Sequence, residues 1–211
     1  HQYGNENVTI VVTRSRNHPS ESRERCAPKP LDQAALEELA LAYVARFATS
    51  AGRLAAYCRR KLRERGHFGA DDGAAPPDVT ALVARFVAKG FVDDVGFARA
   101  KADALLRRGY GGRRVGETLR ADGIDEQTCT AVAPDELAGR EAAAAYARRR
   151  RFGPFAREPR PDDRRDHEKQ LAALLRAGHE ARHARHVLAA RSITEVEDWI
   201  ADAAAEENRW L

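Results

Sequence analysis

Methionine is absent from the chain, and cysteine occurs only at Cys26, Cys58 and Cys129. An odd number of cysteines without a C-x-x-C pair argues against a disulfide framework or a zinc knuckle, and points to a reducing, cytosolic compartment. No apolar run approaches the ~18 residues that span a bilayer, so no membrane partner is expected. The apolar stretch Val8–Val12 is too short for the core of a signal peptide. The glycosylation triplet Asn7-Val8-Thr9 is set aside, because nothing else speaks for secretion. With His1 in first place, the N-terminus is not expected to be a natural start. Aromatics make up only 7% of the chain, and β-branched residues are few, which disfavours sheets. Walker and Rossmann glycine patterns and a Ser/His/Asp order are also missing. No enzyme activity and no cofactor are therefore expected.

Alanine and arginine fill the space. Both enter helices at little entropic cost, so the composition favours an all-α fold. Charged residues reach 32%, yet the net charge is only +4. This mild basic excess allows a polyanionic partner without requiring one.

Residues 1–30 are polar, broken by Pro19, Pro28 and Pro30, and expected to be disordered apart from an extended piece at Val8–Thr13. Helical spacing then begins. Leu36, Leu39, Ala40, Tyr43, Val44 and Phe47 mark one inner face. Ser50 is expected to cap a second helix with Leu54, Tyr57, Cys58 and Leu62 inside, ending at Gly66. After a Gly/Pro loop, Asp78 caps a third helix with Val79, Leu82, Val83, Phe86 and Val87 inside, stopped by Gly90. The unit then recurs. "LRERG" at Leu62–Gly66, "LRADG" at Leu119–Gly123 and "LLRAG" at Leu174–Gly178 share a leucine four residues before a glycine, and the glycines lie 57 and 55 residues apart. Further helices are expected at about 94–108, 113–121, 136–150 and 164–177, with short ones after Gly123 and Gly178. The expected organisation is three tandem three-helix repeats (31–92, 93–133 and 134–191), stacked as an elongated curved solenoid. A C-terminal helix within 192–211 is expected to be capped by Thr194, with Trp199 and Trp210 packing back on the last repeat.

The pattern His179-Glu180-Ala181-Arg182-His183 matches that of zinc peptidases, and His186 adds a third histidine. Gly178 places His179 at the helix entrance and Arg182 puts a positive charge inside the motif, so exposed surface histidines are expected, with no functional metal site. The aspartate pair Asp93-Asp94 is read as structural. Asp93 is expected to cap the helix after Gly90, with Asp94 meeting the positive end of its dipole and Val92 and Phe97 forming a staple.

Three basic segments remain. Arg59, Lys61 and Arg63 lie on the second helix; Arg107, Arg108, Arg113 and Arg114 flank Gly109-Tyr110-Gly111-Gly112; Arg148, Arg149 and Arg150 close a later helix. Solvated helix faces are the plain reading of such runs. The glycine-rich segment is the strongest candidate for a partner or DNA contact, because its backbone allows close approach and Tyr110 offers a stacking surface. Its structural alternative is a helix-to-helix turn with Tyr110 on the core.

The chain resembles the RecX family of bacterial recombinase regulators. The residues that carry this are Ala42-Tyr43-Val44-Ala45-Arg46, Lys61–Gly66, Gly90-Phe91-Val92-Asp93-Asp94 with Phe97-Ala98, Gly111–Val115 with Leu119 and Gly123-Ile124, and Leu174–Gly178. The match spans about Leu36–Ala190 and departs from the family where His179 replaces an aromatic and in the extension after Ala190. The resemblance implies three helical repeats and a monomeric, cytoplasmic, non-enzymatic protein. Its implied partner is the RecA–DNA filament, including single-stranded and possibly double-stranded DNA. There it would suppress ATP hydrolysis and strand exchange, modulating recombination and repair. The alternative is a helical module that binds nucleic acid directly, without a recombinase.

Overall fold

A computed structural model describes residues 29–157 and 164–209. The expected disorder at 1–28, the extended piece at Val8–Thr13, Cys26 and the packing of Trp210 lie outside these residues. Among the described residues the fold is all helical. Its helices are α1 (Gln33–Val44), α2 (Ala51–Arg65), α3 (Val79–Ala88), α4 (Asp94–Arg107), α5 (Gly112–Ala121), α6 (Glu126–Ala131), α7 (Glu136–Arg150), α8 (Arg164–Arg176), α9 (Ala181–Ala189) and α10 (Ile193–Asn208).

Apolar burial sorts these helices into groups. Leu36, Ala40, Leu54, Cys58, Leu82 and Phe86 unite α1, α2 and α3. Ala98, Ala102, Leu105, Val115, Leu119 and Cys129 unite α4, α5 and α6. The remaining interior is alanine-rich: Ala143, Ala144 and Ala147 of α7 sit with Val187 of α9 and Val196 of α10, while Leu174 of α8 meets Ala184 and Leu188. Small side chains let these helices approach closely. The C-terminal helix α10 is thus part of a core, with Trp199 packed against it. Burial also pushes the Cys58 thiol up to about 11, which leaves it unreactive at neutral pH.

The helix starts follow a common rule. Asp32, Ser50, Asp78, Asp93, Asp125, Asp135 and Ser192 each accept the amide of the residue three further on. Ser192, not Thr194, therefore caps α10, because only the Ser192 oxygen reaches the Glu195 amide, at 3.1 Å. Two inner-face expectations also fail. Helix α1 stops at Val44, so Phe47 falls in the following turn and is 55% exposed. Val87, in the last turn of α3, is 45% exposed because no later helix covers that face.

Helices α5 and α9 have no side-chain cap. For α5 the reason lies in how the groups join. The amides of Gly111 and Arg113 donate to the carbonyls of Ala177 (2.9 Å) and Gly178 (3.2 Å), just beyond the end of α8. The positive start of α5 thus faces the negative end of α8, and each satisfies backbone groups the other helix leaves open. The same device recurs one group earlier. At the start of α2 the Ser50 hydroxyl donates to the Asp122 carbonyl beyond α5, at 2.5 Å. Beside it, Cα of Gly123 lies so close that a Cβ on Gly52 would stand 2.7 Å from it. The recurring glycine, four residues after a leucine, is therefore more than a helix stop: at Gly123 and Gly178 it is also where a neighbouring helix start abuts. Gly66, the first of the three, has no such neighbour, and a Cβ there would meet nothing within 4 Å.

The aspartate pair belongs to this joint. Asp93 caps α4 through the Gly96 amide at 2.9 Å. Asp94 accepts the Ala51 amide at 2.7 Å, so it fastens the start of α2 as well as standing at the positive end of α4. Asp93→Ala is expected to cost about 1 kcal/mol. Asp94→Ala is expected to cost at least as much, and in addition to raise hydrogen exchange at the first turn of α2. Exchange there equal to the parent protein would remove Asp94 from this role.

Candidate polyanion-binding surface

The basic residue sets fall in different places. On α2, Lys61 pairs with Glu64 at 2.7 Å and Arg60 with the same carboxylate at 3.5 Å. The Lys61 hydrogen bond holds the Glu64 carboxyl below its usual range. Arg59 and Arg63 are exposed and have no ion pair among the described residues. This face is basic but locally compensated, and it lies in a different group from the other arginines.

The glycine-rich segment between α4 and α5 has its close partner inside the chain. Gly109 has φ +74°, and a Cβ there would stand 2.9 Å from the Tyr146 amide nitrogen of α7. Gly111 and Gly178 meet backbone to backbone. Arg113 bonds the Leu175 carbonyl at 2.6 Å and pairs with Glu117 at 3.0 Å, and Arg114 reaches the same Glu117 at 3.5 Å. Tyr110 is half-buried against the middle core, with the Arg108 guanidinium 5.6 Å from its ring centre. The Gly109 and Tyr110 amides close the end of α4 on the Leu106 and Leu105 carbonyls, and those of Gly111 and Arg113 are engaged in the α5–α8 joint.

What the structure brings together is the C-terminal ends of α4 and α7. The Arg149 guanidinium donates to the Arg108 carbonyl and lies 5.7 Å from the Tyr146 ring centre. Arg107, Arg108, Arg149 and Arg150 are all exposed and have no carboxylate partner among the described residues. Arg148 differs, pairing with Glu197 of α10 at 3.3 Å. Arginine at a helix C-terminus is favoured by the dipole, which explains why both runs sit there. Two such ends side by side form a cationic patch flanked by Tyr110 and Tyr146, able to hold a chain of phosphates or an acidic protein surface. The two runs lie some forty residues apart along the chain, so their proximity was not legible without the α4–α7 packing. Tyr146 was missed for the same reason.

The histidines correct an expectation. His179 and His183 are only 5% and 3% exposed, not surface residues. His179 bonds the Gly109 carbonyl at 3.0 Å and lies 5.5 Å from the Tyr146 ring. His183 bonds Glu136 at 3.1 Å. Glu136 also takes Arg140 at 2.7 Å and Arg182 at 2.6 Å. Burial pushes the Glu136 carboxyl up, but its bonds from Arg140 and His183 outweigh that and hold it below its usual value. Arg140 continues to the Trp199 carbonyl at 2.6 Å, and His186 stacks on the Trp199 ring. The three histidines thus tie α7, α9, α10 and the α4–α5 turn together. His183 turns inward because it shares the inner face of α9 with Ala184 and Val187; His179 lies before the helix and is held by the Gly109 carbonyl, while His186 stays exposed as expected. No group of three or more His, Cys, Asp or Glu among the described residues is placed to hold a metal ion.

Burial lowers His179 from 6.5 to about 4, despite the bond to Gly109. The neutral form is therefore the one that folds. Stability from this group is complete above pH 6.5 and is lost as pH falls toward 4, by about 1.4 kcal/mol per pH unit. His179→Phe is expected to flatten that part of the stability–pH curve, read by denaturant melts between pH 7 and 4. An unchanged slope would assign the acid sensitivity to other groups.

No family model matches the chain. The regulatory protein RecX of Myxococcus xanthus is 33% identical over 172 residues, covering 78% of this chain and 90% of its own length. The regulatory protein RecX of Halorhodospira halophila is 32% identical over 131 residues, covering 62% of this chain and 74% of its own length. A crystal structure of regulatory protein RecX superposes with a TM-score of 0.55 at 17% identity, covering 74% of this chain and 70% of that one; at this identity it speaks for the fold alone.

Proposed function

This chain belongs to the RecX family of regulatory proteins, and from that premise we propose that it binds the RecA–DNA filament and restrains its ATP hydrolysis and strand exchange. The observation that carries the reading is the cationic patch of Arg107, Arg108, Arg149 and Arg150, unpaired on the solvent side of a joint between helix groups. A filament offers phosphates at regular intervals along a groove. A protein built as successive helix groups, 31–92, 93–133 and 134–191, presents two cationic faces to that groove, one on the first group and one shared by the other two. Arg59, Lys61 and Arg63 serve as a second, weaker contact. The energy is spread over many screened contacts, so affinity falls with salt. A monomer acts in the cytoplasm without cofactor or chemical step.

The test is a coupled ATPase assay of RecA on single-stranded DNA. Hydrolysis is expected to fall as the protein is titrated to stoichiometric ratios, and co-sedimentation is expected to require the filament. An unchanged ATPase together with tight binding to bare DNA would replace this reading by a nucleic-acid-binding module. Against that second reading, the chain's net charge is only +4.

A further inference from the structure

The two joints between helix groups are built differently. Between the second group and the third, the start of α5 is bonded to the residues after α8, and on another side α4 lies along α7. There Gly109 abuts Tyr146, the His179 ring bonds the Gly109 carbonyl, and Arg149 bonds the Arg108 carbonyl. Between the first group and the second, one side alone is fastened. Among the described residues, every hydrogen bond and ion pair that links 31–92 to 93–133 starts from Ser50, Ala51 or Arg53. The Ser50 hydroxyl donates to the Asp122 carbonyl, the Ala51 amide donates to Asp94, and Arg53 pairs with Asp122 at 3.8 Å. On the other side α1 and α4, which open their groups as α4 and α7 do, are parted by a cavity of about 470 Å³. Val44 and Phe47 stand on one wall of it, and Phe97, Ala100 and Ala104 on the other.

The apolar cores stop at the same joint: the first is built from residues up to Val92 and the second from Phe97 onward. The covalent crossing is equally local. Val92 is buried in the first core, the Phe91 amide is tied back to the Phe86 carbonyl, and Asp93 already caps α4. The chain therefore passes between the groups at Val92–Asp93, next to the Asp94 carboxylate that holds the Ala51 amide. Groups that share a small polar interface move relative to one another unless a large apolar surface locks them, and a few residues at the crossing suffice to absorb the turn. We infer that residues 31–92 swing as a rigid group about this pivot of Ser50–Arg53, Asp94 and Asp122, widening and narrowing the wedge between α1 and α4, while the second and third groups move as one body. The swing changes the separation between the α2 face of Arg59, Lys61 and Arg63 and the arginines at the α4 and α7 ends. It is a property of the free protein, so the inference stands apart from the recombinase reading.

The test is double electron–electron resonance between pairs of nitroxide labels on the full chain carrying Cys26→Ser. Cys58 and Cys129 are buried, and burial pushes both thiols up, so they stay unlabelled. Ala42→Cys with Ala131→Cys spans the first joint, and Ala131→Cys with Ala189→Cys spans the second; all three are exposed helix positions. Ala42→Cys with Ala84→Cys, both exposed and both in the first group, reports label motion alone. The distance distribution across the first joint is expected to be at least about twice as broad as either of the others. Asp122→Asn removes the charge that faces Arg53 but keeps the carbonyl that Ser50 bonds. This variant, checked for folding by circular dichroism, is expected to broaden the first-joint distribution further and leave the second unchanged. Equal widths across the two joints in the parent protein would overturn the proposal, as would an Asp122→Asn change that broadens both or neither.

Discussion

Gly111→Ala is expected to lower stability by about 3 kcal/mol, seen as a fall in Tm of roughly 6–12 °C. The backbone at Gly111 is not the obstacle: its φ of −81° suits any residue. The obstacle is the neighbour. A Cβ at Gly111 would overlap the carbonyl group of Gly178 and the amide nitrogen of His179. Backbone atoms held by a helix end cannot swing aside as a side-chain tip can. The joint must open instead, and with it go the Gly111–Ala177 and Arg113–Gly178 hydrogen bonds and the alignment of His179 with Gly109. Gly73→Ala is the matched control. It has a left-handed backbone (φ +78°, ψ 15°) but open space around it, so it is expected to cost only about 1–2 kcal/mol. Thermal melts of both variants decide the matter. A Gly111→Ala protein as stable as the Gly73→Ala protein would mean that the helix-end joint does not hold the groups together.

The double variant Arg108→Glu/Arg149→Glu is expected to raise the concentration needed for half-inhibition of the RecA ATPase at least about tenfold. Two lost phosphate contacts should also lower the salt dependence of filament binding, by about 0.7–0.9 per contact on a log–log plot. Fold loss is separable from contact loss. Arg149 donates one hydrogen bond to the Arg108 carbonyl, so the variant should melt within about 1 kcal/mol of the parent. Lys61→Glu/Arg63→Glu on α2 is the comparison, and a smaller loss is expected there because Glu64 already compensates that face. A larger loss from the α2 pair than from the α4–α7 pair would move the main contact to α2.

Much of the fold is legible in the sequence, and the reasons are local. A capping side chain bonds an amide three residues away, so Ser50, Asp78 and Asp93 announce helix starts without tertiary help. The spacing of Leu54, Cys58 and Leu62, or of Leu82 and Phe86, declares an inner face, because the helix repeat alone sets which side chains share a side. The recurrence of a leucine four residues before a glycine reports that helix ends repeat at similar intervals. Misjudged residues sit where local rules end. Phe47 has helical spacing, but its helix had already stopped. Val87 has it too, but lacks a covering neighbour. His179 and His183 look like surface ligands in sequence, yet their partners Gly109 and Glu136 lie 70 and 47 residues away.

The candidate site was legible only as composition. Arginine runs and a glycine-rich turn were visible, but which arginines face one another depends on α4 packing against α7. By itself the sequence determined the helices, their caps, their apolar faces and their recurrence, because each depends on bonds and spacings within a few residues. Tertiary structure decided the rest. It turned Gly109 and Gly111 from a candidate partner contact into an internal joint with Tyr146 and Gly178, and buried His179 and His183. It also gathered Arg107, Arg108, Arg149 and Arg150 at two adjoining helix ends. Those outcomes depend on contacts between groups far apart in the chain, where close backbone approach and opposed helix dipoles decide, and no local pattern encodes them.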